Sequence, residues 1–328
     1  MDPAIIMTIF LVISILIAIA IGANDETMAP LFGSRILNMR QIIVLATIFA
    51  IFGALLLGEG VAKSVGDDIL VTDNFAASVD HNAVVLTILI STTIWLLLAS
   101  ALGLPISTTH ATIGSIMGLG MLLGGSNGVD WDTILGMSMW WLLSPIVGFT
   151  ITYLVVILLN RHKIKHLNGF QDFERSEKRY ALVIFIVICI TAFSRSGNDS
   201  SNAVGIVVGV GEDINITALL VMTGISLAIG IIVLGRIVIR NLGRMTELRP
   251  STAFAAQFPT AAVMLIGTIQ KIPLSGSHML VASLVGLSKA SKTPMKKGLW
   301  KIIAIWLLTF PISAILAIIL YFPISVGF

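Results

Sequence analysis

The chain of 328 residues is 56% hydrophobic and only 11% charged, and its mean hydropathy is +1.00. Soluble domains carry about 25% charged residues, so this composition excludes an ordinary globular domain. Continuous apolar runs long enough to cross a lipid bilayer recur along the chain, which predicts an all-α polytopic membrane protein rather than a barrel. The pI near 9.1 does not indicate nucleic acid, because the basic residues lie between the apolar runs. The single Cys189 lies inside an apolar run, which predicts neither a disulfide nor redox chemistry.

The first half of the chain contains five apolar segments. Asn24, Asp25 and Glu26 end the first segment, and Pro30 follows, which predicts that the helix breaks there. Pro105 ends the third segment and opens the fourth. The five segments cover about residues 4–23, 41–62, 82–104, 106–123 and 131–159.

A hydrophilic linker, residues 160–179, precedes a second set of five segments. The first of these is predicted to end at Asn198-Asp199, in the same way as the first segment of the chain ends at Asn24-Asp25. The third contains Pro259, which predicts an interruption. The second set covers about residues 180–199, 216–239, 253–269, 274–287 and 299–325.

The polar motifs repeat between the two halves. Asn24-Asp25 corresponds to Asn198-Asp199 at an offset of 174 residues. A second set corresponds at an offset of 168: Pro105, Ser107, His110, Ser115 and Gly118 match Pro273, Ser275, His278, Ser283 and Gly286. Because an odd number of crossings per half inverts the second half, the sequence predicts two inverted-topology repeats with broken helices at the midplane. The predicted division is a first repeat 1–159, a linker 160–179 and a second repeat 180–328.

The two proline motifs, at Pro105 and Pro273, are typical of helix starts. Proline suits the first helical turn and hydroxyl groups cap free amides. Two helix N-termini that converge at the midplane could bind a tetrahedral oxyanion without any arginine. The alternative is a proline kink whose hydroxyl groups bond to their own backbone.

Both Asn-Asp motifs place a carboxylate where burial in the membrane is costly. Asp25 and Asp199 therefore need a cation, a proton or hydrogen-bond donors, unless each motif is simply a helix cap at the membrane edge. Carboxylate, amide and hydroxyl oxygens suit a small hard cation such as Na⁺. The carboxylates could also accept the proton that phosphate carries near neutral pH, which favours phosphate over sulfate. His110 and His278 could relay protons, or could simply bond to neighbouring helices.

These motifs resemble those of the inorganic phosphate transporter (PiT) family, whose members are sodium- or proton-coupled phosphate symporters. The resemblance covers the whole chain in family order, through GAND at Gly22–Asp25, PISTTHATIG at Pro105–Gly114, GNDSSNAVG at Gly197–Gly205 and PLSGSH at Pro273–His278. It implies uptake of phosphate by alternating access, with sodium as the favoured coupling ion and no other cofactor.

The resemblance also implies site residues. The implied phosphate site consists of Asp25, Ser107, Thr108, Thr109, Asp199, Ser275, Gly276 and Ser277. The implied sodium ligands are Asn24, Asp25, Thr109, Thr112, Asn198, Asp199, Asn202 and Ser277. The partners it implies are phosphate, sodium and the lipid of a plasma membrane. No nucleic acid is expected, and the oligomeric state, including a homodimer, stays open.

The chain departs from the family pattern at both motifs. Where the family continues with Val-Ala-Asn-Ala after GAND, this chain has Glu26, Thr27, Met28 and Ala29. Gly276 stands where threonine is typical. The ligand roles at Met28 and Gly276 are therefore open, and the two halves are not expected to contribute equally.

Other functions remain as alternatives at this point. A proton-coupled phosphate permease and a sulfate permease would use the same scaffold. A channel would lack saturable, gradient-dependent uptake. An intramembrane aspartyl enzyme could use Asp25 and Asp199 as acid and base, but it leaves the duplicated Pro-Ser-His motifs without a role.

The charges of the loops predict the topology. If both termini lie outside and every segment crosses, 17 of the 20 Lys and Arg residues lie on the inside, and only Lys63, Arg195 and Lys271 do not. The linker 160–179 is then cytoplasmic. Added protease should cut it in inside-out vesicles and spare it in sealed right-side-out vesicles. Cutting in right-side-out vesicles would contradict this topology.

Overall fold

The computed structural model describes residues 3–66, 69–167, 169–208, 215–295 and 299–327, and most of these residues are helical. Three predicted features lie partly outside these ranges: Asp67 and Asp68 between the second and third apolar segments, residue 168 of the linker, and Lys296 and Lys297 before the last segment. Within the described ranges the chain forms twelve α-helices: α1 Pro3–Ala23, α2 Ala29–Gly33, α3 Met39–Gly66, α4 His81–Ala101, α5 Thr108–Gly124, α6 Trp131–His166, α7 Phe170–Val208, α8 Ile216–Gly230, α9 Arg236–Gly243, α10 Pro250–Ile269, α11 Gly276–Ser291 and α12 Leu299–Ser325. A π-helical segment, Ile231–Gly235, joins α8 to α9.

Eight of the predicted segments form helices that are long and apolar enough to cross a membrane. These are α1, α3, α4, α6, α7, the continuous helix formed by α8, the π-helical segment and α9, and finally α10 and α12. The two that open with a proline motif, α5 and α11, have 17 and 16 residues, which is short of the roughly 20 that span a bilayer. The all-α polytopic architecture predicted from the sequence is confirmed.

Each short helix is the second leg of a helical hairpin. In the first half, α4 and α5 are joined by the turn 102–107, and the residues after α5 pair with the loop after α3. The Asp130 amide donates to the Ile69 carbonyl at 3.0 Å, and the Val71 amide donates to the Gly128 carbonyl at 3.2 Å. The two legs therefore begin and end on one side of the protein, with the turn 102–107 inside it. The assumption that every segment crosses the membrane is wrong for this pair. In the second half, α10 and α11 are joined in the same way by the turn 270–275.

The packing partners of the first half recur in the second half. Helix α1 packs on α8, as α3 packs on α7. Helix α5 packs on α12, as α11 packs on α6. This exchange of partners is what two equivalent halves predict, whereas the division into repeat, linker and repeat stays a prediction.

The second Asn-Asp motif does not end a helix. The prediction of a break at Asn198-Asp199 is wrong, because α7 runs without interruption from Phe170 to Val208. No proline follows this motif, whereas Pro30 enters α2 directly after the first one. The hydroxyl groups of Ser200 and Ser201 donate back to carbonyls three residues earlier, which is compatible with a continuous helix.

The hydrophilic linker is also largely helical. Helix α6 continues to His166 and α7 begins at Phe170, so both helices extend beyond the apolar stretch. Helix α10 likewise continues through Pro259, where an interruption was predicted.

The basic loops of both halves meet at one end of the molecule, referred to below as the basic face. Lys163 and Glu177 of the linker form an ion pair that also engages the Ser251 hydroxyl at the start of α10. Nearby, the Arg244 guanidinium lies 5.6 Å from the centre of the Phe32 ring. This grouping agrees with the charge-based topology, although which side of the membrane the face contacts stays a prediction.

Glycines allow the two halves to approach closely. A methyl group built on Gly230 of α8 would lie 2.0 Å from the Ile19 carbonyl oxygen of α1, and one built on Gly22 of α1 would lie 2.0 Å from the Leu227 carbonyl oxygen of α8. Side chains cannot occupy such positions, so the backbones of α1 and α8 are in direct contact, as in other membrane helix pairs.

We expect the substitution Gly230→Ala to separate α1 from α8 and to cost about 1–3 kcal/mol of stability. The thermal unfolding midpoint of the purified protein should fall clearly. Gly136→Ala on α6 is the matched control, because nothing lies within 4 Å of a methyl group there. Equal midpoints for the two variants would contradict the close crossing.

Candidate functional site

The first Asn-Asp motif lies in the non-helical connection between α1 and α2. Its Asn24 side chain donates to the Ser100 hydroxyl and the Leu104 carbonyl, both at 3.0 Å, and accepts from the Ile106 amide at 2.9 Å. These bonds satisfy buried backbone groups in the turn between α4 and α5. Asn24 therefore fixes the hairpin turn of its own half.

The second Asn-Asp motif does the same from within a continuous helix. The Asn198 amide donates to the Ile272 carbonyl at 2.8 Å, and the side-chain oxygen accepts from the Leu274 amide at 3.2 Å. The two asparagines thus have equivalent positions in the two halves. Both were predicted as sodium ligands, and that role stays a prediction beside the structural one seen here.

The two helix starts lie where the sequence predicted them. Ser107 and Ser275 cap α5 and α11, accepting from the amides of His110 at 3.1 Å and His278 at 3.4 Å. Gly276 begins α11 and is buried. The proline residues therefore precede true helix N-termini, with the free amides and partial positive charge that such ends carry.

The two starts also contact each other. Thr109 at the first start directs its hydroxyl to the Leu274 carbonyl at 3.3 Å, and Ser277 at the second donates to the Ile106 carbonyl at 3.0 Å. Each start thereby bonds to the turn that precedes the other. The N-termini of α5 and α11 converge in the interior of the protein, between the two halves.

Three carboxylates and one guanidinium lie beside these helix starts. Arg195 of α7 donates from Nε to Asp199 Oδ2 at 3.0 Å and from Nη1 and Nη2 to the two oxygens of Glu26 at 2.5 and 3.3 Å. Its Nη1 also lies 3.8 Å from Asp25 Oδ1. A buried carboxylate cluster needs a cation, and Arg195 provides one. An arginine therefore lies beside the two helix starts, and binding of an oxyanion without arginine stays a prediction.

The second-half carboxylate also joins the first helix start. Thr108 of α5 donates to Asp199 Oδ1 at 3.0 Å, and the Asn202 amide donates to the Thr108 hydroxyl at 3.4 Å. Asp25, in contrast, accepts from the backbone amide of Thr27 at 2.8 Å. The structure thus brings the predicted residues of both halves to one place.

Several buried oxygens at this place are candidates for holding a cation. Asn202 Oδ1, Thr112 Oγ1 and Thr27 Oγ1 have no hydrogen-bond partner among the described residues. Within the same part of the chain, no group of three or more His, Cys, Asp or Glu side chains has the spacing of a metal centre. Hydroxyl, amide and single carboxylate oxygens fit a monovalent hard cation. Asn202 and Thr112 are among the predicted sodium ligands and Thr27 is not, and the role of all three as ligands stays a prediction.

The two histidines contact each other rather than the carboxylates. The rings of His110 and His278 lie edge to face with centroids 4.5 Å apart, and each also packs on a tryptophan, Trp141 or Trp306. The Nε2 atoms of both rings have no partner among the described residues. Their position one turn inside the helix starts was predicted, and a role in proton relay stays a prediction.

Glu26 and Arg195 are the site residues that the sequence reasoning missed. The signal was present: an arginine within an apolar span needs a partner, and Arg195 precedes Asp199 by four residues, which is one helical turn. Its contact with Glu26 joins residues 169 positions apart and could not be read from spacing.

The site is closed to solvent on nearly all sides. Glu26 is fully buried, and the side chains of Arg195 and Asp199 are 4% and 8% exposed. Asp25, at 15%, is the most accessible charged group of the cluster. The charged groups of the cluster are therefore shielded from solvent in this conformation.

These features define a transporter class: a polytopic helical protein with two hairpins whose helix starts converge on a closed, charged site. Residues 21–317 match the model of the phosphate transporter family. The chain therefore belongs to the phosphate transporter family, and it is a transporter rather than an enzyme. The aspartyl-enzyme alternative is set aside on this ground.

Known proteins similar to this chain agree with the family. A Chlamydia pneumoniae protein named as a putative phosphate permease is 26% identical, with 94% of this chain and 96% of the relative covered. A Pyrococcus furiosus protein of the same designation is 27% identical, with 98% and 96% covered. A solved structure of a protein named as the sodium-dependent phosphate transporter has the same fold, with a TM-score of 0.85, 23% identity, and coverage of 98% of this chain and 99% of the other.

The structural role of the asparagines can be tested without any ligand. Asn24→Ala would leave buried groups of the α4–α5 turn unpaired, at a cost of about 1–3 kcal/mol. We expect a lower thermal unfolding midpoint even in buffer free of sodium and phosphate. The control Asn74→Ala removes one exposed bond, to the Asn127 carbonyl, and should change the midpoint little. An unchanged midpoint for Asn24→Ala would show that the turn does not depend on this side chain.

Proposed function

We propose that this member of the phosphate transporter family is a symporter that takes up inorganic phosphate together with sodium, by alternating access. The observation that carries the proposal is the convergence of both helix starts and both Asn-Asp motifs on one closed site. The Thr108–Asp199 bond is the most direct link, because it joins the start of α5 in one half to the second motif in the other.

The helix starts supply the anion-binding part of the site. Each presents unpaired backbone amides and a partial positive charge, which favour an oxyanion. Because the starts come from opposite halves, they can donate to a tetrahedral anion from several sides. Ser107, Thr108, Thr109, Ser275, Gly276 and Ser277 are the proposed phosphate-binding residues, together with Asp25 and Asp199.

The charges of the site supply the reason for cation coupling. Asp25, Glu26 and Asp199 outnumber the single Arg195, so the ionised cluster carries two uncompensated negative charges. Two unit charges 4 Å apart interact by about 4 kcal/mol at an effective dielectric constant near 20. A phosphate anion cannot bind beside such a cluster at useful affinity unless cations enter with it. Sodium is the proposed cation, in agreement with the sodium dependence for which the structural relative is named.

The carboxylates also favour phosphate over sulfate. Phosphate carries a proton near neutral pH, which Asp25 or Asp199 can accept in a hydrogen bond, whereas sulfate carries none. Sulfate would meet the same carboxylates with only acceptor oxygens.

Alternating access requires a segment that can open the closed site. The short helix α2 begins three residues after Glu26, and its end lines a cavity of about 680 Å³ at the basic face, together with Arg35, Arg244 and Arg249. Movement of α2 would connect the site with this cavity. With the termini outside and the linker in the cytoplasm, as the loop charges predict, the cavity is the cytoplasmic side of a plasma-membrane protein.

The coupling ion is tested with the purified protein in sealed liposomes. Uptake of labelled phosphate should be saturable and should depend on an inward sodium gradient. A proton gradient in sodium-free buffer should not replace it, and excess sulfate should not compete at phosphate-like concentrations. Equal uptake with a proton gradient alone would overturn sodium coupling, and strong competition by sulfate would overturn the choice of substrate.

The shared site predicts that phosphate and sodium raise each other's affinity. We expect Asp25→Asn and Asp199→Asn to weaken phosphate binding and its sodium dependence together. Ser107→Ala and Ser275→Ala should mainly weaken phosphate binding. Asp130→Asn is the control, because Asp130 caps α6 away from the site and asparagine caps equally well. Binding of labelled phosphate across a sodium titration measures both effects, and unchanged sodium dependence in both Asp variants would contradict a shared site.

A further inference from the structure

Arg195 occupies the point at which all the charged and polar parts of the site meet. It is only 3% exposed, and it projects from α7 towards the start of α11. Besides its three carboxylate contacts, Nη2 donates to the Ser277 hydroxyl at 3.1 Å. Ser277 in turn donates to the Ile106 carbonyl, next to the start of α5. The guanidinium therefore lies where the two proposed anion-binding helix starts converge.

Both departures from the family pattern noted above adjoin this guanidinium. Glu26, where the family has valine, binds its two terminal nitrogens. Gly276, where threonine is typical, lies against its other side: a methyl group built there would lie 3.2 Å from Cδ, 3.3 Å from Nε and 3.4 Å from Cζ of Arg195. A threonine would crowd the arginine. The two departures thus provide space and a counter-charge for one buried cation.

The Glu26 carboxylate holds Arg195 in the geometry that a phosphate would adopt. Its two oxygens face Nη1 and Nη2, which is the bidentate arrangement that arginine forms with carboxylates and phosphates alike. The Ser277 hydroxyl lies beside the same end of the guanidinium. An oxyanion at the position of the Glu26 carboxylate would therefore meet an arginine and a hydroxyl group of the first turn of α11.

We propose that Arg195 is a phosphate-binding residue of this transporter, and that Glu26 is a built-in carboxylate that phosphate displaces from it. The inference rests on the proposed phosphate site and adds a residue that sets its affinity. It goes beyond the proposed function because it gives Glu26 a role of its own: Glu26 pairs with Arg195 until the substrate arrives.

The displacement also links the anion to the cation. A Glu26 side chain released from Arg195 remains buried next to Asp25, and an unpaired buried carboxylate is strongly unfavourable. A sodium ion bound between Glu26 and Asp25 would remove this cost. Phosphate and sodium would then bind cooperatively: phosphate binds Arg195 and releases Glu26, and sodium binds the released Glu26.

A purely structural tie between the two halves is the competing explanation of the Glu26–Arg195 pair. The two explanations differ in what the single variants do. If the pair is only a tie, Glu26→Gln and Arg195→Lys both weaken it, so neither should bind phosphate more tightly than the wild type. If Glu26 competes with phosphate for Arg195, the two variants should shift the phosphate affinity in opposite directions. Removing both charges leaves Asp25 and Asp199 without the arginine, so the double variant should bind no better than Arg195→Gln alone.

The experiment measures equilibrium binding of labelled inorganic phosphate to the purified full chain in lipid nanodiscs, at low and at high sodium. We expect Glu26→Gln to bind phosphate about tenfold more tightly at low sodium, because the competing charge is gone, and to depend less on sodium. Arg195→Lys keeps the positive charge but loses the bidentate pair of N–H donors, so it should bind phosphate at least about tenfold more weakly. Glu26→Gln/Arg195→Gln should bind as weakly as Arg195→Gln alone.

Glu177→Gln is the matched control, because it removes an ion pair at the linker, outside the site, and should leave phosphate affinity unchanged. Recovery of wild-type affinity in the double variant, or weaker binding by Glu26→Gln, would overturn the proposal in favour of a structural tie. If Arg195→Gln does not fold, the opposite shifts of Glu26→Gln and Arg195→Lys still decide. Sodium-driven uptake by the wild-type protein is measured separately, so a failure of sodium coupling is distinguishable from a failure of this inference.

Discussion

The cost of burying charge in a membrane governs the centre of this protein. Three carboxylates and one guanidinium lie within the apolar bundle, and Arg195 is the group that all three share. Arg195 belongs to α7 in the second half, and its partner Glu26 belongs to the connection after α1 in the first half. The ion pair that compensates these charges therefore also connects the two halves. The interactions that hold the closed arrangement together are therefore the same ones that are proposed above to bind the ions.

The same constraint explains the two asparagines. Each hairpin turn brings unpaired backbone amides and carbonyls into the interior, where no bulk water can satisfy them. Asn24 and Asn198 provide both a donor and an acceptor at these turns, which an ionised aspartate cannot do. The asparagine of each motif thus holds the turn before the helix start in place. The adjacent aspartate is not needed for that turn, and its carboxylate lies near Arg195 instead.

Much of this arrangement could be predicted from the sequence, and the reasons for the rest are physical. Apolar runs located the segments well, and the predicted bounds of α12 agree with the structure. The serine caps at Ser107 and Ser275 followed from proline and hydroxyl positions alone. The continuity of α7 was missed because the similarity of the two Asn-Asp motifs suggested that both helices break there. In α7 no proline follows the motif, and the serine hydroxyl groups bond to the backbone of the same helix, so the helix continues. The Glu26–Arg195 pair was missed because it depends on how the two halves pack.

The two halves are equivalent in their packing partners but differ at their motifs, and this difference has a mechanical consequence. Arg195 and Asp199 are one turn apart on a continuous helix, so their spacing cannot change without unwinding α7. Asp25 and Glu26 lie on a non-helical connection that can rotate without breaking any helix. A rearrangement of charge around a rigid guanidinium is therefore easier from the first half. These two carboxylates directly precede α2, whose end lines the cavity at the basic face. A change in ion pairing and the proposed opening of the site would therefore involve the same short stretch of chain.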